Sequence, residues 1–188
     1  MDLATWNRRE HYSFYKSFSD PIWGATTELD CTKAYHFAKE QRTSFFVLYL
    51  FLATHAANQL KAFRLRMEPD DRVRVYDVIH AASTINRADG TFGFSQISYS
   101  NNFENFKRSA KEEIERVRKS TTLFSCKNDD NVIHFSTLPW LRFTQNKHAQ
   151  NLPDLIGIPK MTFGKVTVEN NTRRFPVSVH VNLSLIHI

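Results

Sequence analysis

The pattern of hydrophobic and polar positions predicts helices separated by strands. Residues 45–60 open with two turns that are apolar on all sides, which is typical of a buried helix, and Ser44 is a suitable N-cap. A second helix begins after Asn101 or Asn102 and carries one apolar stripe. Asp30 or Thr32 can cap a shorter helix through Ala34 and Phe37. The apolar stripe consists of Phe103, Phe106, Ala110, Ile114 and Val117.

Alternation with a period of two predicts the strands. Residues 63–67 and 72–76 alternate on either side of the turn-forming residues 68–71, which indicates a hairpin. A second hairpin is predicted from 161–168 and 174–181, and single strands at 26–29, 91–99 and 132–136, with a loop at 21–24. Hairpins interrupted by separate helices favour an α+β domain, a two-layer sandwich with helices on one face of a mixed, mainly antiparallel sheet.

Composition narrows the class of protein. The chain has 188 residues, enough for one domain, and its 25 Lys and Arg against 19 Asp and Glu give a net charge of +6. This excess suits an anionic partner such as nucleic acid or a phosphorylated cofactor. The densest basic run, residues 107–119, contains three glutamates, so it is interpreted as a solvated helix face and no nucleic-acid partner is expected.

The cysteines and the apolar runs indicate the cellular compartment. Cys31 and Cys126 are far apart and lack CxxC spacing, so neither a metal site nor a disulfide framework is expected, and a reducing cytoplasm fits best. The longest apolar run, residues 45–53, is much shorter than the roughly 20 residues that span a bilayer, so no membrane contact is expected.

Residues 6–15 form an unusual block, Trp-Asn-Arg-Arg-Glu-His-Tyr-Ser-Phe-Tyr. Aromatic rings build pockets, and arginine is rarely buried without a partner, so the block suggests a pocket wall with an ion pair behind it. An amphipathic strand or helix whose rings enter the core is the alternative. The block resembles the opening signature of the chloramphenicol acetyltransferase family.

Further segments resemble the same family in the same order. They are Ala-Phe-Arg-Leu-Arg at 62–66, Tyr76-Asp77, Thr-Phe-Gly at 91–93, Ser-Thr-Leu-Pro-Trp-Leu-Arg-Phe-Thr at 136–144, Met-Thr-Phe-Gly-Lys at 161–165 and Phe-Pro-Val-Ser-Val at 175–179. Each segment is weak alone, but their shared order along nearly the whole chain is specific. The resemblance implies a fold like that of the CoA-dependent acyltransferases.

The resemblance also implies a reaction. It is acetyl transfer from acetyl-CoA to the primary hydroxyl of chloramphenicol, without metal or covalent acyl-enzyme, at sites between the subunits of a homotrimer. An alcohol is a poor nucleophile at neutral pH, so a histidine base must take its proton. By motif match, Ser136 donates to the oxyanion. Without the family context, a serine before a Pro-Trp turn is more often a strand-end hydroxyl bonded to backbone.

The resemblance assigns further residues to the acceptor side. Positions that match pocket-lining ones are Phe14, Tyr15, Trp23, Phe92 and Phe94. Thr162 matches a threonine near the acceptor, and Arg8 an arginine that forms a structural ion pair with the aspartate of the family's final motif. For any single ring, packing in the core is the alternative.

The end of the chain departs from the family pattern. The family ends with His-His-x-x-x-Asp-Gly, whose second histidine is the base, whereas this chain has Asn182 and Leu183 at the two histidine positions. Residues 1–182 are therefore expected to be one acetyltransferase domain without its C-terminal catalytic segment. Residues 183–188 resemble the translation of a transposase adaptor end and are expected to be a non-native tail. His180 and His187 lie too early and too late to replace the base.

The sequence thus predicts an acetyltransferase whose intact parent confers chloramphenicol resistance, while the chain itself is inactive. One alternative is an acyltransferase of the same fold with another hydroxyl or amine acceptor, or an acyl carrier domain related to dihydrolipoyl acyltransferases. A non-catalytic binding protein that keeps the pocket is another, as is a remnant without function.

Overall fold

A computed structural model describes residues 1–69, 71–124, 130–149 and 156–186. The predictions that concern Cys126 and His187 lie outside these residues. In the described part, the helices are α1 (Arg9–Lys16), α2 (Thr32–Glu40), α3 (Phe45–Gln59) and α4 (Phe103–Lys119), with a 3₁₀ turn at Lys61–Arg64. The strands are β1 (Ile22–Asp30), β2 (Leu65–Glu68), β3 (Arg72–Val75), β4 (His80–Asn86), β5 (Phe92–Ile97), β6 (Val132–Thr137), β7 (Lys160–Phe163), β8 (Thr167–Glu169) and β9 (Thr172–Asn182).

A mixed sheet of seven strands organises the molecule. Its order is β1-β9-β7-β6-β4-β5, with β8 paired to β9, while β2 and β3 form a separate hairpin. The neighbours β7, β6 and β4 run parallel, and the other pairs are antiparallel. The predicted α+β class is therefore confirmed.

The main core lies between the helices and one face of the sheet. Leu50 of α3 and Phe106 of α4 are fully buried against Ile133, Phe163 and Val177 of the central strands. Because successive strand residues point to opposite faces, Ser136, Thr162 and Ser178 lie on the face turned away from these helices.

A smaller core anchors the N-terminal helix. Tyr12 of α1 is buried with Leu65 and Val73 of the hairpin and with Val181 and Leu185 at the end of β9. Residues 183–186 therefore pack against the body of the domain in this structure. Residues 6–15 fold largely into α1, which turns Tyr12 inward and leaves Phe14 exposed.

Several element boundaries differ from those predicted. The predicted loop at 21–24 is mostly strand, because β1 begins at Ile22 and pairs along its full length with β9. The second hairpin is also interrupted, since β9 pairs with two separate strands, β7 and β8. Strand β4 was not predicted. No helix among the described residues combines the length and apolar character needed to cross a membrane.

Candidate active site

A large cleft lies on the helical side of the domain. It has a volume of ≈ 1480 Å³ and is bounded by the start of α3, by α4, and by the ends of β4 and β6. Ser136 borders the cleft near the end of β6, where its side chain leads to the opposite face of the sheet. The hydroxyl of the neighbouring Thr137 is 3.0 Å from the hydroxyl of Tyr49. Burial raises the pKa of Tyr49 to about 12, so this phenol stays neutral and can hydrogen bond to Thr137.

Positive charge dominates the lining of this cleft. Glu104 and Glu115 are its acidic members, and Lys107 donates to Glu104 over 2.7 Å. The interpretation of residues 107–119 as a merely solvated face missed four cations that the geometry of α4 turns toward the cleft. The six basic members of the lining are Arg42, Lys107, Arg108, Lys111, Arg118 and Lys165.

The N-terminus of α3 adds to this positive character. Ser44 caps the helix as predicted, and its hydroxyl accepts a hydrogen bond from the Val47 amide at 3.4 Å. Residues 44–47 all line the cleft. Free amides and the helix dipole favour anions at such an end, so the cleft suits a ligand that carries negative charge.

Ser136 heads a row of hydroxyl side chains across the other face of the sheet. Ser136 pairs with Thr162, and Thr162 with Ser178, so the three side chains stand side by side. Thr162 and Ser178 are fully buried. Asn146 spans both of them, since its amide nitrogen is 3.0 Å from the Thr162 hydroxyl and its carbonyl oxygen accepts from Ser178.

Two histidines complete this polar row. The Nε2 atom of His148 is 3.0 Å from the Thr162 hydroxyl, and Nε2 of His180 is 3.0 Å from the backbone oxygen of Asn146. The two rings meet edge to face, with centroids 4.9 Å apart. Burial, followed by the nearby His180 and Lys160, lowers the pKa of His148 to about 4. Burial likewise lowers the pKa of His180.

The sequence-predicted site residues fall into two sets. The first set surrounds Ser136 on the sheet. Ser83 of β4 pairs with Phe135 of the parallel strand β6, so the next residues, Thr84 and Ser136, lie side by side. Phe94 of β5 pairs with Thr84 and therefore lies in the same row as Ser136. Its ring stacks on Phe124 with centroids 5.1 Å apart. This first set comprises Ser136, Thr162, Phe92 and Phe94.

The second set lies at the opposite edge of the sheet, around the end of β9. Trp23 pairs with Val181 in β1, and the amide of Leu183 donates to the Pro21 oxygen over 3.0 Å. The rings of Phe14 and Tyr15 lie 5.1 Å apart on α1. This second set comprises Arg8, Phe14, Tyr15, Trp23 and position 183.

Arg8 reaches the segment that follows β9. Its Nη2 donates to the backbone oxygen of Leu183 over 3.0 Å, and burial lowers its pKa. Arg8 forms no ion pair with any carboxylate in the described ranges. Three buried polar atoms of this region, Arg8 Nε, Asn182 Nδ2 and Ser184 Oγ, have no hydrogen-bond partner among the described residues.

The two sets are too far apart to form one site within a single chain. Position 183 lies five residues beyond Ser178 along the course of β9, which corresponds to roughly 16 Å. Two strand spacings, about 10 Å together, separate Ser178 from Ser136. Proton transfer requires hydrogen-bond contact, so a base at position 183 cannot serve Ser136 of its own chain.

Sequence reasoning missed the residues that surround Thr162. Asn146 and His148 lie in an irregular segment without periodic pattern, and His180 was considered only as a replacement base. The structure instead uses His180 Nε2 to hold the backbone of residue 146. Among the described residues, no group of three or more His, Cys, Asp or Glu side chains is arranged to hold a metal ion.

Comparison with known proteins gives consistent matches. The family model described as chloramphenicol acetyltransferase matches residues 1–187. A chloramphenicol acetyltransferase of Bacillus pumilus is 27% identical over 177 residues, which are 93% of this chain and 80% of the relative. Chloramphenicol acetyltransferase 3 of Escherichia coli is 27% identical over 185 residues, which are 97% of this chain and 86% of the relative.

Solved structures agree with this result. A structure named chloramphenicol acetyltransferase has a TM-score of 0.91 at 28% identity and covers 100% of this chain and 91% of that one. The dihydrolipoamide acetyltransferase of Azotobacter vinelandii has a TM-score of 0.70 at 13% identity, with 95% of this chain and 79% of that chain covered. The second likeness concerns the fold alone.

Proposed function

Because the chain belongs to the chloramphenicol acetyltransferase family, we propose that its cationic cleft binds acetyl-CoA and delivers the thioester to Ser136. The acyl acceptor is the hydroxyl of chloramphenicol. One observation carries this proposal: the residue that matches the oxyanion donor borders the cation-lined cleft. The proposed binding site of acetyl-CoA and the proposed oxyanion donor are therefore adjacent.

The chemistry of coenzyme A fits this cleft. The molecule carries three phosphate groups at one end of a long pantetheine arm, and the thioester is at the other end. Six basic side chains and the N-terminus of α3 offer the positive charge that phosphates require. The apolar residues Phe45, Val166 and Phe175 in the same lining suit the less polar arm.

The reaction then needs three groups. A base removes the proton of the acceptor hydroxyl, the hydroxyl oxygen attacks the thioester carbon, and Ser136 donates a hydrogen bond to the resulting oxyanion. Collapse of this intermediate expels the CoA thiolate, which is protonated, and leaves the acetyl ester. Leu183 stands where the base is expected, and a leucine side chain cannot accept a proton. We therefore propose that the chain as it stands is inactive.

The separation of the two residue sets supports a site shared between copies. Position 183, Arg8, Phe14, Tyr15 and Trp23 of one copy would complete the site around Ser136 of another. Phe14 is 59% exposed and Trp23 39% exposed in the single chain, so both rings are available for such a contact. A closed ring of three copies, as the resemblance implies, would give three equivalent sites.

Charge reversal in the cleft tests the proposed acetyl-CoA site. We expect Lys165→Glu and Lys111→Glu each to weaken acetyl-CoA binding about 10-fold to 100-fold, because each removes a charge-assisted contact. Isothermal titration at fixed ionic strength measures the dissociation constant. The exposed Lys33 of α2 lies outside the cleft lining, so Lys33→Glu is the matched control. Equal effects of all three substitutions would contradict the assignment.

A mixing experiment tests whether the site is shared. One variant carries Ser136→Ala together with a family-type tail, His-x-x-x-Asp-Gly, in place of residues 183–188. The other keeps Ser136 and has glutamine at the first position of that tail. Random assembly of equal amounts should make about a quarter of the sites intact, because each site draws its two halves from different copies. Denaturation and refolding together, followed by an activity assay, measures this fraction. If sites lie within single chains, the mixture has no more activity than its parts.

A further inference from the structure

We propose that His148 is a specificity-determining residue that donates its Nδ1–H to the acyl acceptor. The inference rests on the proposed function and narrows the class of acceptor. It requires a primary alcohol with a hydrogen-bond-accepting oxygen close to the reacting hydroxyl. A purely apolar alcohol cannot make this hydrogen bond.

The hydrogen bonds around Thr162 fix the position of each proton. The Ser178 hydroxyl donates to the carbonyl oxygen of Asn146, which leaves the amide nitrogen of Asn146 to donate to the Thr162 oxygen. Thr162 therefore has its own proton available for the Nε2 atom of His148, 3.0 Å away. An amide nitrogen only donates and a carbonyl oxygen only accepts, which fixes the roles of Asn146. The amide nitrogen of Asn146 also lies 3.3 Å from Nε2 of His148, and the fully buried Thr162 hydroxyl has Nε2 as its described acceptor, so both contacts require an unprotonated Nε2.

This chain of donors determines the tautomer of His148. Its Nε2 atom accepts from Thr162, so the ring proton resides on Nδ1. The pKa of about 4 keeps the ring neutral at physiological pH, which preserves this arrangement. Nδ1 of His148 has no hydrogen-bond partner among the residues that the structure describes, and the side chain is only partly buried. Within the described part of the chain, this N–H therefore has no acceptor and can donate to a ligand.

The location of this donor matches the side from which an acceptor would approach. Acetyl-CoA would reach Ser136 through the cleft on the helical side, whereas His148 lies over Thr162 on the other face of the sheet. Ser136 and Thr162 are neighbours at one strand spacing, about 5 Å. An alcohol at Ser136 can therefore place a second oxygen, about four bonds from its reacting oxygen, against His148.

The surroundings hold His148 rigidly enough for such a role. Asn146 is fixed by both buried hydroxyls of the row, and its backbone oxygen is held by His180. Lys160 donates to the oxygen of Ala149 over 2.8 Å, which secures the other side of the same segment. A donor whose position is set by several contacts discriminates between ligands better than one on a mobile side chain.

A purely structural role is the competing explanation. In that case His148 only ties residues 146–149 to Thr162 through Nε2. Two substitutions separate the two roles. His148→Gln keeps a polar group near the position of Nε2, and His148→Asn keeps one near the position of Nδ1.

Ligand binding to the CoA-saturated chain is the test. The probes are chloramphenicol, which has several oxygens near its primary hydroxyl, and 3-phenyl-1-propanol, an apolar primary alcohol. Chloramphenicol is also the larger ligand, so the preference attributed to His148 is the part of the ratio of the two dissociation constants, at least tenfold, that depends on this side chain. His148→Asn should keep most of this preference and His148→Gln should lose it. The exposed His36 supplies the control variant, His36→Gln, which should behave like the unmodified chain.

The outcomes are decisive in both directions. Loss of the preference in His148→Asn but not in His148→Gln shows the structural role and overturns the proposal, as does binding of neither alcohol or equal binding of both. Thermal unfolding of every variant confirms that it folds, and a nitrogen-15 histidine spectrum of the unmodified chain must show the proton of His148 on Nδ1. Acetyl-CoA binding is measured separately, so a failure of the proposed function is distinguished from a failure of this inference.

Discussion

Replacing residues 183–188 with His-x-x-x-Asp-Gly is expected to give a chain that acetylates chloramphenicol, whereas the unmodified chain gives no turnover above background. The new histidine occupies position 183, where the base is expected and where leucine now stands. A positioned base contributes roughly 10² to 10⁴ to the rate. A spectrophotometric assay of thiol release from acetyl-CoA measures it.

The matched control for this experiment has glutamine in place of the new histidine. Glutamine retains the size and polarity of the tail but cannot take a proton, so it should remain at the background rate. The new aspartate also offers Arg8 a carboxylate at the end of the sheet, where Arg8 now donates to the Leu183 oxygen. Turnover by the unmodified chain, or by the glutamine control, would refute the assignment of position 183.

In the tail-restored chain, Ser136→Ala is expected to lower kcat by about 10-fold to 10³-fold, with KM for chloramphenicol nearly unchanged. A donor directed at charge that appears only in the transition state lowers the barrier without tightening the binding of the ground state. Steady-state kinetics at saturating acetyl-CoA separates kcat from KM.

The competing role for Ser136 makes a different prediction. A strand-end hydroxyl bonded to backbone would contribute roughly 1 kcal/mol to the free energy of unfolding and nothing to kcat. A melting curve of the same variant measures this alternative. Ser178→Ala serves as a comparison, because Ser178 lies in the same row but donates to Asn146 instead of lining the cleft. An unchanged kcat in Ser136→Ala would remove Ser136 from the mechanism.

Elements with a strong local pattern could be predicted from the sequence. The all-apolar start of α3 and its Ser44 cap, and the apolar stripe of α4 behind Asn102, are signals contained within a few helical turns. Strand β4 was missed because His-Ala-Ala-Ser-Thr-Ile-Asn alternates only weakly, and its identity depends on pairing with β5 and β6. The first residues of β1 were predicted as a loop for the same reason, because they form a strand only by pairing with β9.

The candidate site was also predictable from the sequence only in part. Ser136 and Thr162 lie in segments that resemble family motifs, and the structure places them side by side. The charge on α4 was visible in the sequence, but which cations line the cleft depends on the rotation of the helix against the sheet. Asn146 and His148 could not be predicted because their role arises only where an irregular segment crosses the polar face.

The position of Ser136 at the junction of the cleft and the polar face of the sheet has a kinetic consequence. If the nucleotide thioester and the alcohol enter from opposite sides, neither blocks the path of the other, and both occupy the enzyme together before any bond changes. No obligatory order of addition is then imposed by the architecture. Double-reciprocal plots of initial rate against one substrate, at several fixed concentrations of the other, would intersect instead of running parallel. A single molecule in which both ligands are covalently joined would span the two entrances.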